Sequence, residues 1–461
     1  VIAYEPGSFK DPSGRVFYLR DEVYRTLTPE AGEALGRAWE SGLMPELTRA
    51  GLVLETERVR AAEVEVPGLE GTAQLLRQPR VPVVSYAYEW SFEMLRDAAL
   101  VTLEILERCL AAGFLLKDAN SFNLLFLAGK PRLVDVPSIE PYQEGMLWAG
   151  YGQFCRSFLF PLLLGAHLGL EFQPLLRGTM GELPVREVAR LFRLRDWFKP
   201  GVLRDVVLQA RLERDFARRQ ETLAGSVSNY RLPKELLVAN VRRLRRIIER
   251  LRTPNTPSEW SGYTAFHNYT DEDQRQKRVF VERALEEAKP ARVLDLGCNT
   301  GQYTELARAR GAQVVAVDVD AQAIDLLYRG LPAGASVWPM VANLANPTPA
   351  MGWALKERRS LLDRLGSDFV LALALVHHLR ITAGVPLEQV VEQLFALAPE
   401  GVVEWVDKQD SMVRRMLSLR PDVYPDYTWE NFRALLERHG TLVSVQETHE
   451  GRRRLCHVRR R

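Results

Sequence analysis

Lysine is scarce in this chain: nine of its 61 basic residues are lysine and the rest are arginine, and none of the nine falls between Asp11 and Leu116. Cysteine is scarcer still. Cys109, Cys155, Cys298 and Cys456 stand far apart with no Cys-x-x-Cys pair, which argues against a disulfide framework or zinc knuckle and for a reducing, cytoplasmic setting. The net charge is only +2, so no global field recruits nucleic acid or a membrane. Long apolar runs are missing too. Ser157 to Leu170 is uncharged but short, and it contains Pro161 and Gly165, so it reads as a buried helix. Gly330 to Leu355 is uncharged and longer, but Pro332, Pro339, Pro347 and Pro349 break it. From Val1 onward there is no signal-peptide pattern, and no repeat or low-complexity tract.

What is present describes a globular protein. An apolar content of 46%, a charged content of 26% and 461 residues imply two or three domains. In the first half, Gly14 to Leu27 reads as a hairpin turning at Arg20-Asp21. Pro29 to Ala50 reads as a helix capped by Thr28. Strands are expected at 52–59 and 81–88, a long helix over 91–112, and a hairpin of 124–127 and 131–134. Pro233 to Arg252 carries one apolar stripe (Leu237, Val241, Leu244, Ile248, Leu251) among arginines. Thr253-Pro-Asn-Thr-Pro-Ser258 then breaks the chain. The expected organisation is an α+β domain over 1–232, a connecting helix and linker over 233–258, and an α/β domain over 259–461.

The second half alternates strand and helix. Strands are expected at 292–297, 313–318, 335–341, 368–375 and 401–407, with helices at 302–310, 321–329, 352–364, 386–397 and 429–438. This implies a mainly parallel, doubly wound sheet. Leu442 to Gln446 and Leu455 to Arg459 flank a His-Glu-Gly turn and form a closing antiparallel hairpin.

The most informative segment is Val293-Leu-Asp-Leu-Gly-Cys-Asn-Thr-Gly301, followed by a strand ending in Asp318. Strand, glycine turn, helix, strand and acid build a nucleotide pocket at the carboxyl ends of a parallel sheet. The spacing is Asp-x-Gly-x-x-x-Gly. It resembles the first motif of class I S-adenosylmethionine-dependent methyltransferases, and the terminal hairpin is what that fold adds to a doubly wound sheet. The resemblance implies S-adenosylmethionine as cofactor. Asp295 then faces the ammonium, Gly297, Asn299 and Gly301 form the turn, Asp318 takes the ribose hydroxyls, and Asn343 reads the adenine edge. Asp320 is a weaker substitute for Asp318.

Candidate catalytic residues lie on the acceptor side. Val376-His377-His378-Leu379 follows the fourth strand, so either histidine could take an acceptor proton; a helix-start histidine bonded to backbone is the alternative. His267, among Trp260, Tyr263 and Phe266, suits a lid or an ordinary packed entry segment. Glu404 and Lys408 either face the acceptor or form surface ion pairs.

A second constellation lies upstream: Leu116-Lys-Asp118, then Asn123, then Val134-Asp135-Val-Pro. It resembles the catalytic loop and metal-binding strand of protein kinases and aminoglycoside phosphotransferases. The resemblance implies Asp118 as base, Asn123 and Asp135 as magnesium ligands, and ATP as co-substrate. Leu116 stands where histidine is usual, Val-Pro replaces Phe-Gly, there is no Gly-rich loop, and the phosphate-pairing lysine has no candidate unless an arginine substitutes.

A kinase-like half followed by a methyltransferase half resembles bacterial nodulation-type methyltransferases. The expected activity is methylation, on oxygen, of a small-molecule or glycan-like acceptor. The alternatives are a bifunctional kinase–methyltransferase, or a cofactor-sensing scaffold whose pseudokinase half binds a partner. Arginines 242–252 and the tail Arg452 to Arg461 read as solvated faces or as a contact for an anionic acceptor; no nucleic-acid partner is expected.

Overall fold

The computed structural model describes residues 3–64, 69, 74–218, 232–254, 270–418 and 421–461. They form two units, Val1–Asn255 with Met351–Arg358, and Thr256–Ala350 with Arg359–Arg461.

The first unit opens with a four-stranded antiparallel sheet, order β1-β2-β4-β3. Its strands are β1 (Val16–Leu19), β2 (Glu22–Thr26), β3 (Glu57–Arg60) and β4 (Gln74–Pro79). The expected hairpin at Arg20-Asp21 is β1–β2. The strand expected at 81–88 is instead β4, a few residues earlier. Thr28 Oγ1 accepts from Ala31 N to cap α1 (Pro29–Glu40), but Gly42 in the left-handed region splits the expected long helix from α2 (Leu43–Arg49). Ser91 caps α3 (Phe92–Ala111), one face of which is wholly buried. β5 (Phe114–Leu116) pairs with β8 (Ile139–Pro141), and β6 (Leu124–Leu127) pairs with β7 (Lys130–Leu133).

The rest of this unit is helical. α4 (Tyr151–Phe154) runs through a π turn into α5 (Phe160–Leu168), which is buried as expected of Ser157 to Leu170. α6 (Gln173–Gly178), α7 (Val185–Leu191) and α8 (Gln209–Arg218) follow. α9 (Lys234–Arg250) buries Leu237, Val241, Leu244 and Ile248, and its arginines reach acids of this same unit: Arg243 grips Asp205 (2.6 and 2.8 Å) and Arg242 meets Glu107 (3.1 Å). No described helix is long and apolar enough to cross a membrane.

The second unit is a seven-stranded sheet, order β11-β10-β9-β12-β13-β15-β14. The strands are β9 (Arg292–Leu296), β10 (Gln313–Asp318), β11 (Val337–Val341), β12 (Phe369–Ala372), β13 (Glu400–Val406), β14 (Gly440–Thr448) and β15 (Arg453–Arg460). All neighbours are parallel except β15, which lies antiparallel between β13 and β14. The central strands are buried on both faces, which is why Val314 to Val317 reads as one apolar run. Around the sheet pack α10 (Asp271–Ala288), α11 (Gln302–Ala309), α12 (Ala321–Gly330), α13 (Leu387–Leu397), α14 (Ser411–Leu417) and α15 (Trp429–His439).

The helix expected over 352–364 does not form. Gly352, Ala354 and Leu355 take positive φ, Met351 and Arg358 exchange backbone hydrogen bonds, and Glu357 Oε1 accepts from Trp353 N (2.6 Å). The chain turns back on itself there. Glu357 also holds Lys10 (2.6 Å), so Met351–Arg358 belongs to the first unit.

Candidate active site

The sheet's carboxyl edge gathers the predicted donor residues. β9 delivers Asp295 and then turns through Gly297 (φ 72), Asn299 (φ 49) and Gly301 (φ 88) into α11. Gly297 N and Cys298 N both donate to Val317 O (2.8 and 3.2 Å), tying the turn to β10. The positive φ demands glycine at Gly301, and a side chain there would also displace the end of Leu327 on α12, 2.4 Å away.

Asp318 sits half-buried at the end of β10. Its Oδ2 accepts from Asn299 N (2.8 Å) and its Oδ1 from Asp320 N (2.9 Å). Burial raises its pKa, against those two amides. Each oxygen keeps a further lone pair for a ligand hydroxyl. Asp320 is committed differently: its Oδ1 caps α12 at Gln322 N and Ala323 N. Asn343 follows β11 on the same edge, exposed, with Oδ1 accepting from Ala345 N (2.9 Å).

Asp295 is 2% exposed. Thr304 Oγ1 donates to its Oδ2 (2.6 Å). Burial pushes its pKa up to about 6, with the Asp318 charge adding to the rise and Thr304 and Lys277 opposing it. A buried carboxylate held by the hydroxyl and backbone of one residue, Thr304, is a setting that a cationic ligand stabilises. The arrangement therefore fits an ammonium-bearing cofactor.

His377 is 2% exposed, and its Nδ1 is buried without a hydrogen-bond partner. Burial drives its pKa well below the ordinary range, assisted by His378, Arg453 and Lys277. The His378 ring packs against it at 4.2 Å, and burial lowers that pKa to about 4. Both imidazoles are neutral at physiological pH. His267 lies outside the described residues.

Beneath these groups runs an ion network that sequence reasoning largely missed. Lys277 of α10 donates to Glu404 of β13 (2.6 Å), and both are buried. Arg453, at the start of β15, donates from Nε to Asp410 (2.8 Å) and lies 3.8 Å from Glu404. Asp273 accepts from Thr270 N, Thr270 Oγ1 and His449 N; these bonds outweigh its burial and hold its pKa at about 2. Glu404 is thus a core ion, not a surface one. Lys408 has the surface role, paired with Asp422 (2.8 Å) and the Tyr424 carbonyl (2.7 Å). One signal existed: Glu404 interrupts Val-Val-Glu-Trp-Val, where an unpaired charge would be costly.

In the first unit, Asp118 and Asp135 lie close enough that Asp135's charge, after burial, raises the Asp118 pKa. The phosphotransferase resemblance assigned Asn123 and Asp135 to magnesium. Here Asp135 pairs with Arg25 of β2, which also pairs with Asp11. A guanidinium already neutralises the carboxylate a metal would need, so the residues as placed do not fit magnesium. All four cysteines are free and buried, and no metal-ligand cluster of His, Cys, Asp or Glu occurs among the described residues.

Comparison with known proteins adds a family. The chain is 34% identical over 442 residues to nodulation protein NoeA of Rhizobium meliloti (strain 1021), covering 95% of this chain and 92% of that protein. The chain belongs to the NoeA family. Within this NoeA-family chain, residues 269–447 match the methyltransferase domain model, so the second unit holds a class I methyltransferase domain. Among solved structures, magnesium protoporphyrin IX methyltransferase of Synechocystis PCC 6803, with bound S-adenosylhomocysteine, is 15% identical. That match covers 44% of this chain and 93% of that one, with a TM-score of 0.32. The bifunctional kinase-methyltransferase WbdD is 19% identical over 45% of this chain and 43% of its own, with a TM-score of 0.31.

Proposed function

We propose that the second unit transfers a methyl group from S-adenosylmethionine to a hydroxyl of a small-molecule or glycan-like acceptor, in the cytoplasm. The observation that carries this reading is Asp295: a buried carboxylate hydrogen-bonded by Thr304, beside the Gly297–Gly301 turn and Asp318. When bound, the cofactor supplies a methyl on a sulfonium, whose thioether leaves neutral. Asp295 holds the ammonium, directly or through water. Asp318 accepts from the ribose hydroxyls with the lone pairs its backbone amides leave open, and Asn343 meets the adenine edge. His377 presents a neutral ring nitrogen to the acceptor proton. The cations near it make an imidazolium costly, so the proton moves late, once the forming methyl–oxygen bond has made it acidic. Rate comes mainly from holding acceptor and methyl in line.

Titration calorimetry with S-adenosylhomocysteine tests the donor site. Replacing Asp318 with alanine removes charge-assisted hydrogen bonds of about 1.5–3 kcal/mol in total, an expected loss of about 10- to 150-fold in affinity. Equal affinity for wild type and Asp318→Ala removes the ribose assignment.

The Arg25 pairing favours a binding role for the first unit over phosphoryl transfer. Titrating ATP with and without magnesium into wild type and Asp135→Asn is expected to give the same isotherm for both proteins, with no component that magnesium adds and the substitution removes. Magnesium-dependent binding by wild type, lost in the variant, would restore the bifunctional reading.

A further inference from the structure

Many arginines of this protein find a carboxylate. Arg243 has Asp205, Arg156 has Glu182, and Arg380 has Asp426. Among those of the first unit that form no such pair, four share one concavity. Arg186 and Arg190 of α7 and Arg211 and Arg214 of α8 line one groove of about 380 Å³, with Trp197 and Val207 forming apolar wall. All four are exposed, Trp197 is half-buried, and the Arg211 guanidinium stacks over the indole at 5.3 Å. Arg186 donates to the Glu213 carbonyl (3.0 Å), which fixes its head group in the groove. Glu187, Glu213 and Asp215 sit on the same two helices, yet none forms an ion pair with any of the four among the described residues.

Four like charges converging on one concavity repel one another, and an anion among them relieves that repulsion. Guanidinium forks match phosphate oxygens in pairs, whereas a lone carboxylate satisfies only one fork. The volume is that of a small-molecule site, at the lower end of about 300–1,000 Å³. The indole adds an apolar face against which an organic substituent can lie. We propose that this groove binds a phosphate-based polyanion, a diphosphate or a diphosphate ester, at a site separate from the methyl-transfer centre. Nothing in this inference rests on the methyltransferase reading.

The test is calorimetry of the full chain with sodium diphosphate, inorganic phosphate and an oligoglutamate peptide in turn. Diphosphate is expected to bind at least about tenfold more tightly than monophosphate, because two forks engage instead of one. Its affinity should fall as potassium chloride is raised. A diphosphate ester that binds more tightly than free diphosphate, with Trp197 emission quenched and the advantage lost in Trp197→Phe, identifies the ester as the source. Equal affinity for the two identifies free diphosphate. The double variant Arg190→Glu/Arg214→Glu should abolish the heat while circular dichroism and S-adenosylhomocysteine binding stay as in wild type. Arg242→Glu, a surface arginine of α9, should leave it unchanged. The proposal is overturned if diphosphate gives no heat, if the double variant binds like wild type, or if oligoglutamate binds more tightly than diphosphate.

Discussion

Glu404→Ala should destabilise the second unit by about 3–5 kcal/mol, the cost of leaving a buried ion without its partner. Lys277 and Arg453, both almost fully buried, lose the carboxylate that faces them. Asp410 still serves Arg453, so Lys277 bears most of the loss. Burial already lowers the Lys277 pKa, and Glu404 opposes that fall. Without Glu404 the folded-state pKa drops further below the unfolded value. Between the two, the unfolded chain binds more protons, so stability rises with pH. The deficit of the variant should therefore shrink as pH rises through the variant's lowered Lys277 value, until the wild-type Lys277 loses its proton too. Urea unfolding followed by hydrogen exchange across β13 reports this unit by itself. The double variant Lys277→Met/Glu404→Leu should recover most of the loss, since apolar replacement of a buried pair is often neutral. A single variant as stable as wild type would mean that the pair is open to water.

His377→Leu should slow methyl transfer by about 100-fold, the low end of the usual general-base contribution, with donor affinity unchanged. The low end follows from the site. Burial, His378, Arg453 and Lys277 all disfavour the imidazolium, so this ring assists only when the acceptor proton has become acidic. It stays neutral through the physiological range, and its titration causes no loss of rate between pH 7.5 and 6. A decline centred near pH 6 should come instead from Asp295, whose pKa is raised to about 6 by burial. A proton there removes the charge that holds the cofactor's ammonium, so donor affinity weakens as pH falls and should become nearly flat in Asp295→Asn. Transfer of tritiated methyl label from the cofactor into acceptor-containing extract reads the rate. If His377→Leu transfers label as fast as wild type, the base assignment is wrong.

Much of the second unit was legible because its strands and helices bury apolar residues at regular spacing. β10 was expected at 313–318 and is found there, and β14 and β15 form the closing hairpin. α10 was not foreseen. Its inward stripe is Asp273, Lys277, Phe280, Val281, Ala284 and Leu285, and the first two are charged. A helix whose core-facing positions carry ions does not show an apolar period, and those ions belong to the candidate site. The false helix at 352–364 failed for the opposite reason. Its composition suited a helix, but Glu357 is drawn to Lys10 and to Trp353 N, contacts that no local pattern records.

The sequence by itself determined the succession of seven strands in the second unit, the turn at 297–301 and the acid that follows it, because each depends on residues close together in the chain. Only the tertiary structure decided which charges meet. Lys277 with Glu404, Arg453 with Asp410 and Arg25 with Asp135 join residues far apart in sequence. Whether a carboxylate holds a proton, a ligand or a guanidinium depends on burial and on which groups stand within a few ångströms of it, and neither is written in local pattern.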